Sequence, residues 1–582
     1  MTAPVIRRSH YIAMPDGVRL ALDVWLPIEM DGRLPAFLLS TRYWRAFDLV
    51  EGDPQYQPAF AMAGHLAARG YALVEVDSRG SGASFGQRAC EWSPQERDDL
   101  GLVIDWIASR DWSDGRIVAT GYSYGGNTAF MAASTGRKAL VLTAPQFADF
   151  DIYRHNLFPG GVANIFLNDR WAALTAAQDR GDVEGVADQL PGIDKALFRR
   201  LVRGPAPVGG EDPARAIAGH AGNFNIGATA RSVTFIDDAA RLNAGWDTDL
   251  VMDSEKLSIH ALRPAMEAAG TPIAYWAGWF DAGTAEGALE LFNSVDGPME
   301  VFIGPWSHGR RWHQDPFAIG QTPRSLPASE NLDDLLSAAA CPPTARRLHY
   351  YTLGADQWRT TTVWPPDGQQ SCRLFLAGDG LLSEVPPVDG GADVHAVRAD
   401  ASTGRQNRWW TQIGCAPVHH PDRAPADALL QTYDSAPLDR AVEITGAPVL
   451  HLWMACDRPD AALFAYLEMV DSQGRVALLT EGVLRLMHRR VLPPGEHSFQ
   501  ADPAHGYRAC DALPVMPGEV MQVVVRLLPI SIRIPAGFRL RLALAGADAD
   551  TFAPVTGSDG AHFTFHRDDI HASALELPLI GL

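Results

Sequence analysis

Ile117-Val118-Ala119-Thr120-Gly121-Tyr122-Ser123-Tyr124-Gly125 followed by Asn127-Thr128-Ala129-Phe130-Met131-Ala132-Ala133 is the stretch on which the fold turns. The first four residues read as a buried strand, and the last seven as a helix. Between them Gly121 and Gly125 flank Ser123 where side chains would collide as the backbone reverses. A hydroxyl is a poor nucleophile at neutral pH and must be exposed beside a base and beside donors for an oxyanion. A sharp strand-to-helix turn with a serine at its tip meets that need, so Ser123 is the candidate nucleophile.

The pattern Gly-x-Ser-x-Gly occurs a second time, at Gly82-Ala83-Ser84-Phe85-Gly86. That copy lies several loop residues beyond its strand, after Asp77-Ser78-Arg79-Gly80-Ser81, and leads into Gln87-Arg88 with no apolar helix directly behind it. It reads as a glycine-rich surface loop.

Outward from the turn, short apolar runs alternate with helical patterns, as in a parallel sheet flanked by helices. Ala36–Thr41, Ala72–Asp77 and Ala139–Thr143 read as further strands. Pro94–Arg110 reads as a crossover helix, with Ser93 as cap and Leu100, Val103, Ile104 and Ile107 at helical spacing. From residue 147 to 262 the sequence is helix-like and broken by Pro159-Gly160-Gly161, which indicates an inserted cap. Strand runs return at Ile273–Trp279 and Met299–Trp306. Beyond residue 348, runs such as Phe464–Val470 and Phe538–Leu544 are separated by Gly, Pro and Asp turns, which predicts an all-β sandwich of the jelly-roll kind. The expected division is a core of residues 1–146 and 263–347, a cap of 147–262, and a sandwich of 348–582. Gly309–Ala345 reads as a long polar connection bearing prolines.

In a fold of this type the acid and then the base follow the serine along the chain, each on a loop just after a strand. Asp281 ends Gly278-Trp279-Phe280-Asp281, and His308 ends Gly304-Pro305-Trp306-Ser307-His308. His308 would carry the proton and Asp281 would orient the imidazole. The rivals His155, His220, His260, His419 and His420 follow no core strand, and His313 lies further from one.

Composition narrows the rest. A chain of 582 residues exceeds one core and implies several domains. With 47% hydrophobic and 20% charged residues, the chain should be folded throughout. A net charge of −20 argues against a nucleic-acid partner. No window approaches the ~20 apolar residues of a membrane span, and residues 1–10 lack the apolar run of a secretory signal. The six cysteines form no CxxC pair, so neither a metal site nor a dense disulfide framework is expected, and a reducing cytoplasm fits best.

With these residues placed, the sequence resembles the cocaine esterase and X-prolyl dipeptidyl peptidase-like family (CocE/NonD type), which also holds α-amino-acid ester hydrolases. The likeness includes Met14-Pro15-Asp16-Gly17-Val18-Arg19-Leu20, Asp77–Gly82, the Ser123 turn, the Asp281 and His308 motifs, Gly354–Arg359 and Tyr433–Leu438. It implies an α/β-hydrolase core, a helical cap and a carboxy-terminal jelly roll. It also implies a triad of Ser123, Asp281 and His308, with an oxyanion held by the Tyr124 N–H and the Tyr43 hydroxyl. Relatives usually have proline just before that tyrosine, where this chain has Thr41-Arg42. They also carry an amphipathic helix where this chain has Gly309–Ala345. Trp44, Phe150, Phe158, Phe166 and Trp171 are candidates to line a substrate pocket.

The expected activity is cleavage of a small-molecule ester through an acyl-enzyme, with no cofactor and no metal. An X-prolyl aminopeptidase, an amidase or an α-amino-acid ester hydrolase on the same triad is the alternative. That reading needs a buried carboxylate for the substrate's amino group, for which Asp149 and Asp151 are candidates. A non-catalytic binding protein is the remote alternative. A homo-oligomer is compatible with the sequence.

Overall fold

The computed structural model describes residues 2–581 except 51, 192, 226, 228–232, 239–252, 389 and 498. Among these, ten strands form one sheet: β1 (Val5–Ala13), β2 (Arg19–Pro27), β3 (Leu34–Thr41), β4 (Ala72–Asp77), β5 (Ser113–Tyr122), β6 (Leu140–Gln146), β7 (Ile273–Gly278), β8 (Met299–Gly304), β9 (Arg346–Thr352) and β10 (Gln357–Thr361). Their order is β1-β2-β4-β3-β5-β6-β7-β8-β9-β10. The run from β4 to β9 is parallel, and antiparallel pairs close both edges.

Period-two alternation sorts the strand residues between two helical layers. Leu22, Val24, Leu38, Val74, Ile117 and Ala119 face the layer that holds Val103, Ile104 and Ile107. Their neighbours Trp25, Phe37, Leu73 and Val118 face Ala63, Leu66, Leu335 and Leu336. The helices concerned are α1 (Phe60–Ala67), α2 (Pro94–Ala108) and α3 (Tyr124–Ala133). Ser93 caps α2 by accepting from the Glu96 N–H at 3.2 Å, and Pro94 opens it, as the sequence predicts.

After β6 the chain leaves the sheet and builds α4 (Ile165–Asp179), α5 (Val183–Gln189) and α6 (Lys195–Leu201), each capped by a side chain, Asn164, Asp182 and Asp194 in turn. This region is not wholly helical. Val202–Pro205 is a strand that pairs with Phe47–Leu49 and so ties the insertion to the loop after β3. The sheet resumes at β7, and α7 (Thr284–Ser294) follows it.

Two boundaries differ from the sequence reading. The first sheet does not stop at residue 347: β9 lies in parallel on β8, with Leu348 beside Val301, and β10 turns back on it. Their alternation resembles that of the all-β strands that follow, so pattern alone could not assign them. Gly309–Ala345 also holds a helix, α8 (Ala328–Ala340). Leu332, Leu335, Leu336 and Ala339 make its apolar stripe, and the acids Glu330, Asp333 and Asp334 on its other side masked it.

From residue 369 onward the protein is all-β, with thirteen strands in one hydrogen-bonded network among the described residues. Along Val449–Cys456, buried Leu450, Leu452 and Met454 alternate with half-buried His451 and Trp453. Leu353, just past β9, exchanges backbone hydrogen bonds with Ser531 and Arg533, which joins the two sheets. No helix among the described residues is long and apolar enough to cross a membrane.

Candidate active site

Ser123 stands between β5 and α3 with φ 59° and ψ −126°, a conformation costing about 1–3 kcal/mol for a residue with a side chain. The packing around it enforces the turn. Gly121 has φ +150°, and a Cβ there would lie 2.6 Å from the Gly125 carbonyl carbon. A Cβ on Gly126 would lie 2.6 Å from the Gln146 oxygen, to which the Ser123 N–H donates. Gly126 is therefore a tighter requirement than Gly125, where the nearest atom is 3.5 Å away. As the first residue of α3, Tyr124 has a backbone N–H with no intrahelical acceptor. Its phenol donates to Glu96, 2.8 and 2.9 Å from the two carboxylate oxygens, and its ring stacks on Trp92, so this donor sits on a fixed base.

The other members arrive from the ends of β7 and β8. Gly278 and Gly304 lie against Trp306 so closely that a Cβ on either would come within 2.4 Å of it. The crossing aligns the two loops. His308 Nδ1 is 2.9 Å from Asp281 Oδ1, and both residues are buried. The second Asp281 oxygen accepts from the Thr284 hydroxyl at 3.1 Å. His308 Nε2 is buried and has no hydrogen-bond partner. His308 and Ser123 line one cavity of about 450 Å³.

Sequence reasoning missed Gln412, 131 residues from Asp281 along the chain. Its Nε2 donates to Asp281 Oδ1, and its Oε1 accepts from Asn156 Nδ2 at 3.3 Å. Asn156 also donates to Asp149 at 3.1 Å. The chain Asp149–Asn156–Gln412–Asp281–His308 thus joins four separate stretches of sequence. Burial raises the Asp149 carboxyl to about 7, with Asp281 adding to the rise and Asn156 opposing it. Asp151 is different: Arg154 at 2.8 Å, with His260 and His155 nearby, holds it below the ordinary carboxylate range despite burial.

Tyr43 lies on the cavity wall. Its hydroxyl accepts from Trp171 Nε1 at 2.7 Å, which leaves the phenolic proton free to donate. Burial lifts its pKa well above 10, so the proton stays on. The loop is anchored where relatives usually use proline. Arg42 pairs with Asp179 of α4 at 2.8 Å and with Glu91 at 3.3 Å, and Trp44 Nε1 donates to the Gln178 carbonyl.

Of the five aromatic candidates for the pocket, only Trp171 lines it. Trp44 is buried among Leu49, Leu174 and Leu201. Phe150 packs on Phe499, Phe158 stacks on Tyr153, and Phe166 stacks on Trp410. Each is engaged by a partner that the sequence could not place beside it. The walls instead carry Leu174, Val186, Leu190, Ile193, Phe198 and Ile413. Neither Asp149 nor Asp151 reaches the cavity, and no carboxylate lines it among the described residues. The second pentapeptide is no surface loop: Ser84 is fully buried, donating to the Asp77 carbonyl at 2.6 Å and accepting from the Ala21 N–H at 2.8 Å. Among the described residues one cluster has metal-ligand character, His566, Asp568 and His571, and it lies in the all-β region away from this site.

Comparison with known proteins places the chain in a family. Residues 16–310 match the family model described as X-Pro dipeptidyl-peptidase (S15 family). The chain belongs to the S15 family. Residues 344–575 match the carboxy-terminal non-catalytic domain of X-Pro dipeptidyl-peptidases, so the all-β part of this S15 member is also a family feature. A Mycobacterium bovis protein provisionally named a serine esterase is 36% identical, over 98% of this chain and 95% of its own. The cocaine esterase of Rhodococcus sp. is 25% identical over 98% and 97%. A CocE/NonD family hydrolase from Staphylococcus aureus superposes with a TM-score of 0.69 at 17% identity, covering 99% and 94% of the two chains. The fold is that of the CocE/NonD-type α/β-hydrolases with an all-β carboxy-terminal region, and the protein is a serine hydrolase by family.

Proposed function

We propose that this chain cleaves carboxylic esters with Ser123 as nucleophile, His308 as base and Asp281 as its orienting acid. Ser123 Oγ attacks the carbonyl carbon and its proton passes to His308 Nε2. The oxyanion receives the Tyr124 N–H and the Tyr43 O–H. His308 then protonates the departing alkoxide. In the second half it deprotonates a water that attacks the acyl-enzyme, releasing the acid and restoring the serine.

The observation that carries this reading is the polarity of His308. Its Nδ1 is held by Asp281, while its Nε2 is unpartnered and the residue lines one cavity with Ser123. Ester rather than amino-terminal peptide cleavage is favoured by the walls, which are mainly apolar and hold no carboxylate for an ammonium group among the described residues. The names of the Mycobacterium and Rhodococcus relatives point the same way. We take the core to extend through β10, with the cap between β6 and β7, and the unpaired cysteines fit a reducing compartment.

The test pairs an aryl ester of a short fatty acid with an X-Pro anilide, and labels the enzyme with a fluorophosphonate. Ester turnover with the label on Ser123 is expected. Anilide turnover equal to ester turnover would reverse the substrate reading, and a label on any other serine would overturn the site.

A further inference from the structure

The amino-terminal end of the sheet carries a second recess, built by elements that take no part in the triad. Strand alternation puts Arg8 and His10 on one face of β1, beside Val24 and Leu26 of β2. The turn between β2 and β3 adds Met30 and Arg33, the last turn of α2 adds Trp106, and the loop after it adds Arg110 and Trp112. Together they line a groove of about 700 Å³.

Its charge runs against that of the molecule. The chain has 69 acidic residues against 49 lysines and arginines, yet three arginines line this groove and Asp111 is its one carboxylate. Among the described residues neither Arg8 nor Arg33 has an acidic partner, whereas Arg7 next door pairs with Asp23. Arg110 is turned into the groove by local bonds rather than by an acid. Its Nε donates to the Trp106 carbonyl at 3.1 Å, and its guanidinium lies 4.6 Å over the Trp106 ring. His10 reports the resulting field: burial, then Arg8 and Arg110, lower its pKa against the opposing pull of Asp23.

Guanidinium forks match phosphate oxygens in pairs, and three of them suit a dianion better than a single carboxylate. Met30, 45% exposed, and Trp112 supply apolar surface at the rim for the rest of a ligand. The geometry points to this groove as a binding site for a small organic phosphate monoester. Trp112 immediately precedes β5 and Ser123 immediately follows it, so ten strand residues separate the two sites, roughly 30 Å. The groove is therefore a separate site, not an arm of the ester pocket.

Titration calorimetry of the full chain with phenyl phosphate at low ionic strength tests this, with inorganic phosphate and phenol as half-probes. Saturable one-to-one binding is expected, tighter than for either half. The double variant Arg8→Ala/Arg33→Ala should weaken it by about tenfold or more, since two charge-assisted contacts are removed. An unchanged thermal midpoint in that variant shows that it folds. Absence of saturable binding, or undiminished affinity in the double variant, would overturn the site. Inorganic phosphate binding as tightly as phenyl phosphate would overturn the ester class. A Met30→Asp variant, placed on the rim, gives an independent check: it should also weaken binding, and unchanged affinity would count against the groove.

Discussion

The chain carries one pentapeptide pattern twice, and the two copies have opposite environments. In Gly82–Gly86 the serine is spent on the fold. Ser84 bridges two backbone groups, and Asp77 beneath it receives the Arg45 guanidinium at 2.7 Å and the Ala83 N–H at 2.9 Å. In Gly121–Gly125 the backbone is strained to bring Ser123 to a cavity, and the polar groups around it are left incomplete. His308 Nε2 and Asp149 Oδ1 are both buried without partners. The comparison teaches that one sequence motif can serve the fold where its serine bridges two backbone groups, and can offer a candidate nucleophile where its serine lines a cavity.

Exchanging the two serines one at a time breaks the comparison most sharply. Ser123→Ala should lower ester kcat by about 10⁴-fold or more with the protein still folded. Ser84→Ala should keep the activity and cost about 1–3 kcal/mol of stability, because the Ala21 N–H loses its buried acceptor. Steady-state rates and urea unfolding of the two variants read both effects. Equal losses of activity would make the second pentapeptide part of the site.

The same contrast applies to the two tyrosines that face each other, with ring centroids 5.9 Å apart. Tyr124 spends its hydroxyl on Glu96, while Tyr43 keeps its proton free. Tyr43→Phe should therefore lower kcat by about 10²-fold, as loss of one oxyanion donor does, and leave KM nearly unchanged. A KM rise with unaltered kcat would assign Tyr43 to substrate packing instead.

What the sequence could disclose follows the range of the forces involved. Ser123, Asp281 and His308 each follow a strand whose apolar run is local, so their places at the sheet's end could be read from neighbouring residues. So could the Ser93 cap of α2. The pocket walls could not. Leu174 and Phe198 share a cavity with Ser123 because the Arg42–Asp179 pair and the Phe47–Leu49 strand dock the insertion on the loop after β3. Gln412 reaches Asp281 from a segment whose own sequence is unremarkable. Phe150 and Phe166 mislead for the same reason: apolar character shows that a ring will be buried, not which ring will bury it.

Asp149 carries the comparison to carboxylates, with the smallest expected effect. Burial raises the carboxyl of Asp77 as well, but Arg45 opposes the rise there, whereas among the described residues Asp149 has a single amide donor from Asn156 and no cation within hydrogen-bond reach. Burial accordingly lifts the Asp149 carboxyl from the ordinary 3.8 to about 7. Between these values the unfolded chain releases the proton while the folded one retains it. Asp149 therefore withdraws stability as pH rises from about 4 to about 7, and the loss is constant above that. Asp149→Asn keeps an oxygen to accept from Asn156 but cannot ionise. Its thermal midpoint should lie near the parent's at pH 4 and above it by a few degrees at pH 8, measured by scanning calorimetry at one scan rate. A midpoint below the parent's at pH 8 would show that the ionised carboxylate is held by favourable contacts, and the distinction from Asp77 would then fail.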